Sequence, residues 1–216
     1  MLRGFLKVLG VTEEVCVVCG ATVEDPLQGY VCGNCIARIR QDKSIHPDRR
    51  LPRVQGFRVF SRYEGVLGEV IRLVKFRRVL PLARKLGEVI AEDIREYTNR
   101  ISPDLITFVP VHILRKWSRG FDQNREILKG AGMEFEETLV RVKYSRPLAL
   151  FDRRERQKAV RGAFKVRRDK LKKVRGAKVL VFDDVITTGS TAVSVAEILI
   201  GAGAVSVYFY FVASED

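Results

Sequence analysis

Apolar and polar residues change their period at several points along the chain, and each change predicts a structural element. Apolar and polar positions alternate over Phe57–Tyr63, a pattern that is typical of a strand. Apolar residues then recur at helical spacing over Val66–Val74, and basic residues close that segment. A second helix is predicted over Pro81–Tyr97, since proline fits the first turn of a helix.

Three short apolar runs further along the chain predict buried strands. They cover Leu105–Val109, Val179–Phe182 and Ala204–Val212. A helical pattern over Val193–Ile200 lies between the last two runs. Strands that alternate with helices favour an α/β fold, in which helices flank a parallel sheet.

All four cysteines of the chain precede this pattern, as two Cys-x-x-Cys pairs separated by twelve residues. Such pairs present thiolates on tight turns, and together they suit a tetrahedral Zn2+ site. The predicted ligands are Cys16, Cys19, Cys32 and Cys35. Because four protein ligands leave no open position, we expect a structural metal. Two disulfides are the alternative pairing, and iron is the alternative metal.

A proline-rich, charged segment over His46–Pro52 marks a boundary between two parts of the chain. We expect a four-cysteine zinc-finger module with its linker over residues 1–52, and the α/β domain over residues 53–216. A short helix over Ile36–Arg40 is expected to follow the second cysteine pair. The module is too small to build a core alone, so metal binding is expected to fold it.

The chain has 216 residues, 46% of them hydrophobic, and a formal net charge of +13. Such a charge favours polyanionic ligands, namely nucleic acid, phosphorylated metabolites or an anionic membrane surface. It does not choose among them, and a basic surface without a partner is the alternative. Residues 153–178 hold thirteen lysines and arginines against two acids. They indicate either a solvated basic hairpin or a surface that follows the phosphates of a nucleic-acid strand.

Hydropathy gives an expectation about location. No apolar run approaches the roughly 18 residues that a membrane helix needs, so no membrane span is expected. The segment Met1–Gly10 lacks the apolar run and the cleavage site of a signal peptide. These features favour a cytoplasmic protein.

The most informative stretch is Val179–Thr191, where an apolar run meets the adjacent carboxylates Asp183 and Asp184. We expect the strand to end at these acids. A hydroxyl-rich turn with one glycine follows and opens a helix, so its backbone N–H groups and hydroxyls can hold an anion. The two acids can hold ribose hydroxyls or a hydrated cation. A capped strand–turn–helix with solvated acids is the alternative.

This stretch resembles the phosphoribosyl-pyrophosphate (PRPP) loop of type I phosphoribosyltransferases. The resemblance implies that Asp183 and Asp184 are the catalytic pair and bind the ribose hydroxyls of PRPP, directly or through Mg2+. It implies that two loops and one arginine bind the phosphates: Thr187, Thr188, Gly189, Ser190 and Thr191 for the 5′-phosphate, and Pro110, Val111, His112 and Arg119 for the pyrophosphate. The implied reaction displaces pyrophosphate from the anomeric carbon by a nitrogen nucleophile. For His112, a loop residue bonded to a neighbour is the equal alternative.

The motifs of the whole chain, taken in order, resemble the ComF family of competence-associated proteins, which carry a phosphoribosyltransferase-like domain behind a zinc finger. After the four cysteines, the motifs are Tyr63–Gly65, Lys75–Phe76, Val109–Val111, Arg119–Gln123, Arg156–Phe164 and the loop that begins at Asp183. The chain departs from the family at Asp122 and Ala159, where asparagine is usual, and around Arg146–Leu148, where a Thr/Gln pattern is missing.

The ComF resemblance implies a role in DNA uptake or processing. It implies single-stranded DNA as a partner, other competence proteins as further partners, and a PRPP pocket kept for binding or regulation. Two alternatives stay open at this point. One is an active phosphoribosyltransferase with an unknown nitrogenous acceptor, and the other is a PRPP-sensing regulator without catalysis.

Overall fold

A computed structural model of the chain describes residues 15–23, 30–41, 50–143 and 162–215. In chain order the elements are α1 (Gly33–Gln41), β1 (Gly56–Arg62), α2 (Gly65–Phe76), α3 (Leu80–Ile101), β2 (Leu105–Phe108), α4 (Ile113–Arg119), α5 (Gln123–Gly130), β3 (Leu139–Arg141), β4 (Phe164–Val166), a 3-10 turn (Arg168–Lys170), α6 (Leu171–Val174), β5 (Lys178–Ile186), α7 (Ser190–Gly201) and β6 (Ser206–Ser214).

Four strands form one parallel sheet in the order β1-β6-β5-β2. The two central strands are buried along most of their length, through Val179–Phe182 in β5 and Phe209–Ala213 in β6. Continuous apolar runs of this kind are typical of parallel strands that are covered on both faces. The predicted α/β class, with a parallel sheet flanked by helices and a cysteine cluster near the N-terminus, is confirmed.

Strand β5 extends past the two acids to Ile186, whereas the sequence predicted that it ends at them. The reason is continued pairing with β6, in which Asp183 faces Phe211 and Val185 faces Ala213 in register. Both carboxylates therefore project from a hydrogen-bonded strand in the sheet, and the phosphate-type loop begins only after it.

Helices cover the sheet in two layers. On one face, α2 and α3 bury an apolar cluster that includes Ile71 and Ile90. The cysteine module contributes to the same cluster through Cys16 and Val31. On the other face, α7 packs its apolar side, including Leu199, against β5 and β6. The predicted helices are confirmed, and α3 is longer at both ends than the predicted Pro81–Tyr97.

Helix α5 has no counterpart among the predicted elements. It begins after Asp122, whose side chain caps it, and it buries polar residues at its start, among them Gln123 and Asn124. It crosses α3 at very close range. A Cβ added to Gly87 would lie only 2.1 Å from the carbonyl oxygen of Ile127. A Cβ on Gly130 would lie 2.0 Å from backbone of α3. Two glycines thus bring the two helices together.

The edge of the sheet at β2 is covered by the segment that leads into β3. Glu136 N donates to Ile106 O at 2.9 Å, and Thr107 Oγ1 donates to Glu136 O at 2.8 Å. Strand β3 then pairs with β4 in an antiparallel ribbon. Phe164 is buried in β4.

Several predictions fall on parts of the chain outside the described residues. These are Arg146–Leu148, Ala159, residues 153–161 of the basic segment and most of the linker that begins at His46. The boundary at residue 52 stays a prediction.

Candidate ligand-binding cleft and metal centre

A cavity of about 630 Å3 opens at the carboxyl ends of strands β1, β2 and β5. Ligands of open α/β sheets commonly bind at this edge, because the loops that follow the strands converge there. The cavity brings together most residues that the sequence singled out: Asp183, Asp184, Thr187, Thr188, Gly189, Ser190, Thr191, Pro110, Val111 and Arg119. The acids, the hydroxyl-rich loop and the loop after β2 therefore share one space.

Asp184 is held by two side chains that come from different helices. Lys75 Nζ, on α2, lies 3.1 Å from Asp184 Oδ1. Gln123 Nε2, on α5, donates to Asp184 Oδ2 at 2.9 Å. Asp184 is only 5% exposed. A buried charge needs such partners, and here each oxygen has one.

Asp183 is bound by the neighbouring amide on α5. Asn124 Nδ2 donates to Asp183 Oδ1 at 2.9 Å and to Val109 O at 2.8 Å. Burial and the adjacent charge of Asp184 raise the pKa of Asp183 to about 7. The amide nitrogen thus donates two hydrogen bonds, whereas Asn124 Oδ1 is a buried acceptor without a hydrogen-bond partner among the described residues.

Asp122 joins the loop after β2 to helix α5. Its Oδ2 accepts from Val111 N at 2.9 Å, and its Oδ1 accepts from Asn124 N at 3.1 Å. Burial raises the pKa of this carboxyl to about 6, although backbone donors lower it in part. The departure from the usual asparagine therefore provides two acceptor oxygens where an amide has one.

The hydroxyl-rich loop turns through Gly189, whose φ of +77° favours glycine. A Cβ there would also lie 2.5 Å from Leu51, in the segment before β1. Thr188 Oγ1 and Ser190 Oγ share a hydrogen bond of 2.8 Å at the start of α7. Backbone N–H groups of the first turn of α7 follow directly, and that turn contains no acid. The loop thus has the features of an anion-binding turn.

The two remaining residues of the predicted pyrophosphate site behave differently. His112 is buried, caps α4 by accepting from Leu114 N at 3.2 Å, and is not among the cavity-lining residues. The geometry matches a loop residue bonded to a neighbour. Arg119 lines the cavity and donates to Gln123 Oε1. One side chain, Gln123, therefore connects this arginine to the acid pair.

Lys75, Gln123 and Asn124 are site residues to which the sequence alone gave no role. Lys75 and Gln123 lie in short blocks that carry the ComF resemblance, but the blocks do not say which side chain contacts the acids. A possible signal was the run of polar residues at the start of α5, because polar side chains in a buried helix need partners. With Arg72, Arg78, Arg119 and Arg141 also lining it, the cavity carries more positive than negative side chains.

The four cysteines lie together near the N-terminus as predicted. Their Sγ atoms are all within 4.8 Å of one another, with Cys16 and Cys35 3.8 Å apart and Cys19 and Cys32 3.6 Å apart. Four sulfurs about 2.3 Å from one ion at tetrahedral corners would be separated by about 3.8 Å. No disulfide forms among them. The cluster therefore suits a metal ion such as zinc.

The thiol of Cys16 shows how the backbone favours thiolates at this cluster. Burial alone would raise its pKa, but hydrogen bonds from backbone N–H groups, including those of Cys32 and Cys19, lower the pKa to about 6. Metal binding requires deprotonated thiols, so this arrangement favours it.

The described part of the basic segment lies around β4 and α6. Most of its cations are exposed: Lys165, Arg167, Arg168, Lys172, Lys173 and Arg175. Lys170 and Lys173 both bind Glu136, which lies beside the β2 edge. Part of the positive charge thus supports the fold, and the rest faces solvent. In the described stretches of the chain, no helix combines the length and the apolar character needed to cross a membrane.

Comparison with known proteins finds relatives named for DNA utilization. The chain is 27% identical over 201 residues to the DNA utilization protein YhgH of Salmonella typhimurium, covering 89% of this chain and 81% of the relative. It is 25% identical over 201 residues to the protein of the same name from Escherichia coli strain K12, covering 82% and 87%. No protein-family model matches the chain. These proteins are its homologues.

Two solved structures resemble part of the chain. One is the allosteric regulatory enzyme of purine biosynthesis, at 22% identity and a TM-score of 0.38. The other is glutamine PRPP amidotransferase from B. subtilis, complexed with ADP and GMP, at 21% identity and a TM-score of 0.37. Each match covers 60% of this chain, which spans only 25% of the solved chain.

Proposed function

We propose that the cavity binds PRPP or a related ribose 5-phosphate ligand, in a protein that binds single-stranded DNA during DNA uptake or processing. The observation that carries the cavity half of the proposal is the anchored acid pair beside an anion-binding turn. Asp183 and Asp184 stand on a strand, and the turn through Gly189 follows them within the same cavity. A ribose 5-phosphate needs a diol clamp and a phosphate cradle within one site.

In this proposal each group of the cavity has a separate task. The two carboxylates accept hydrogen bonds from the ribose hydroxyls, and the loop Thr187–Thr191 donates to the 5′-phosphate. Lys75 and Arg119 stabilise the negative charge of the pyrophosphate, which grows if that group leaves. Arg119 is positioned for this by its contact with Gln123.

Mg2+ would accompany a pyrophosphate-bearing ligand, and the donors present suit it. Mg2+ prefers oxygen ligands and keeps several waters, so most of its shell would come from the substrate and solvent. The carboxylate of Asp183 is an oxygen donor in the cavity lining, and Asn124 Oδ1 is a buried acceptor without a hydrogen-bond partner among the described residues. Bound there, the ion would supply charge neutralisation at the phosphates, while Lys75 holds the charge of Asp184.

The DNA half of the proposal rests on the homologues and on charge. The curated relatives are named for DNA utilization. The chain carries a net charge of +13, and exposed cations cluster around β4 and α6. Contacts of this kind recognise phosphates without reading sequence. Other competence proteins are proposed as further partners.

The four-cysteine cluster is proposed to hold a structural Zn2+. Cys16 and Cys35 are buried, Cys19 is exposed, and four thiolates on one ion leave no ligand position for a substrate. Their arrangement as free thiols rather than disulfides supports a reducing compartment, and we propose the cytoplasm.

Active phosphoribosyl transfer is a second candidate function, and one observation favours it. Tyr63 and Phe76 are among the cavity-lining residues, and their aromatic rings are suited to contact a planar acceptor. Release of pyrophosphate from PRPP with one of a panel of nitrogenous bases would establish this activity. PRPP binding without such release would instead favour a PRPP-sensing protein.

Calorimetric titration with PRPP and Mg2+ tests the cavity. We expect binding by the wild type, loss of at least tenfold in affinity for Asp184→Asn, and no change for Glu197→Gln, an exposed acid on α7 outside the cavity. If the wild type binds no PRPP, the proposal that the cavity binds this ligand is wrong. Anisotropy titration with labelled oligothymidylate at low salt tests the DNA half, which fails if no binding is seen.

A further inference from the structure

Two aromatic side chains are exposed on helices that contribute residues to the cavity lining. Trp117 on α4 is 76% exposed, and Phe76 at the end of α2 is 66% exposed. Trp117 is the one tryptophan of the chain. Burying such large rings normally stabilises a protein, so rings left in solvent commonly mark a binding surface.

The two aromatics belong to one rim. The guanidinium of Arg78, which follows α2, donates to Ser118 Oγ on α4 at 3.2 Å and so connects the two elements. Phe76, Arg78 and Ser118 all line the cavity, and Trp117 directly precedes Ser118 on α4. We call the set Phe76, Arg77, Arg78, Lys116 and Trp117 the aromatic rim.

The rim is strongly positive. No acid occurs from Val70 to Gly87 or from His112 to Gly120, the two stretches that build it. The exposed cations Arg77 and Lys116 directly adjoin Phe76 and Trp117 in the sequence. Exposed rings between exposed cations are the arrangement by which proteins hold unpaired nucleotides, since bases stack on the rings while phosphates meet the cations.

We propose that the aromatic rim is the base-stacking part of a single-stranded DNA site, which places the strand across the mouth of the cavity. The inference rests on the proposed DNA-binding function and adds its location. Duplex DNA does not fit equally well, because its base faces are already stacked. Ile113 and Leu114, one turn before Trp117 on α4, are also about half exposed. A protein partner still fits less well, because exposed cations adjoin the rings and charged residues are depleted from the core of protein–protein interfaces.

Fluorescence of Trp117 gives a direct test, because no other tryptophan contributes to the signal. The full chain is titrated with oligothymidylate of roughly 20 nucleotides at low salt, and both tryptophan emission and the anisotropy of a labelled strand are followed. We expect saturable quenching of the emission at the same strand concentrations at which anisotropy rises. A duplex of the same length is expected to leave the emission unchanged.

Variants of the two rings test the contribution of stacking. Trp117→Ala and Phe76→Ala are each expected to weaken strand binding by about 5- to 100-fold, and Trp117→Phe by much less, because a ring is kept. The matched control is Val205→Ala, which removes an apolar group that is 72% exposed at the turn before β6. It should bind as the wild type does, and circular dichroism checks that each variant is folded.

The outcomes distinguish this inference from the function on which it rests. If the wild type binds the strand and both alanine variants bind equally well, the rim is not the site and the DNA-binding function stands. If anisotropy rises without any change in tryptophan emission, the site lies elsewhere, for example on the basic segment. If the wild type binds no strand, the DNA half of the proposed function and the rim both fail.

Discussion

Lys75 Nζ lies 3.1 Å from Asp184 Oδ1, so the chain supplies its own cation to an acid of the proposed ribose site. Lys75→Met is expected to lower the free energy of unfolding by about 3 kcal/mol, because the carboxylate would stay buried with one hydrogen-bond donor fewer. In an Asp184→Asn background the same change should cost about 1 kcal/mol, since no buried charge is then left alone. Guanidinium chloride unfolding of the four proteins measures the difference, and additive losses would show that the two residues are not coupled.

The buried carboxyl of Asp122 predicts a specific pH dependence. Its pKa is raised by burial to about 6 in the folded chain, whereas an unfolded chain gives about 3.9. The folded chain holds this proton more tightly than the unfolded chain does. Protonation of Asp122 therefore stabilises the fold fully below a pH of about 4, and this stabilisation is lost as the pH rises through about 6.

Asp122→Asn removes this titration. Between pH of about 5 and about 7.5, the free energy of unfolding of the wild type should fall by about 1 kcal/mol more than that of the variant. Denaturant unfolding at the two pH values, in zinc-containing buffer, measures both slopes. Equal slopes would mean that Asp122 ionises at its ordinary pKa.

The crossing of α3 and α5 has no space for a methyl group at Gly87. Gly87→Ala would place a Cβ 2.1 Å from a backbone oxygen of α5, so we expect a loss of about 3 kcal/mol or more in stability. PRPP affinity should fall with it, since α5 carries Gln123 and Asn124. The matched control is Gly201→Ala on α7, where a Cβ meets nothing within 4 Å. Thermal unfolding measures the stability of both variants. A Gly87→Ala protein as stable as the wild type would contradict the close approach of α3 and α5.

The cysteine cluster predicts one bound metal ion per chain. Elemental analysis of the purified protein should find zinc, and Cys35→Ser should lose most of it, because Cys35 is one of the buried ligands. Val15→Ala, at an exposed residue next to Cys16, should keep the metal. Chelation should lower the unfolding temperature of the wild type. A metal-free protein with no reactive thiols before reduction would instead indicate disulfides.

Much of the fold could be predicted because the spacing of apolar residues along the chain indicates most of its helices and strands. The four strands of the parallel sheet and the helices α2, α3 and α7 each show an apolar run or a clear period, and each was predicted. Helix α5 has none, because it buries amide side chains and an acid among few apolar residues. Its burial follows from the glycine crossing with α3, a contact between distant segments that no local pattern encodes. The end of β5 was also misjudged, since parallel pairing with β6 extends it past the acids.

The residues of the candidate site also fall into two groups, those that the sequence predicts and those that only packing brings together. Asp183, Asp184 and the loop after them form one contiguous stretch, so their shared location follows directly from sequence. Lys75 and Asn124 reach the acids from two separate helices, and only the packing of those helices brings them there. His112 lies in the loop after β2, and the direction of its side chain is set by its hydrogen bond to the first turn of α4.

The order of the strands in the sheet has a consequence for synthesis. β1 is an edge strand whose neighbour is β6, the last strand of the described sheet, so it cannot complete its pairing until β6 has left the ribosome. At roughly 5–20 residues per second, β1 waits on the order of ten seconds for its partner. During that interval α2 and α3 can already fold from local contacts, whereas the sheet cannot close. Closure of the sheet is therefore expected to limit the rate of folding, and a chaperone that shields β1 would act within this window.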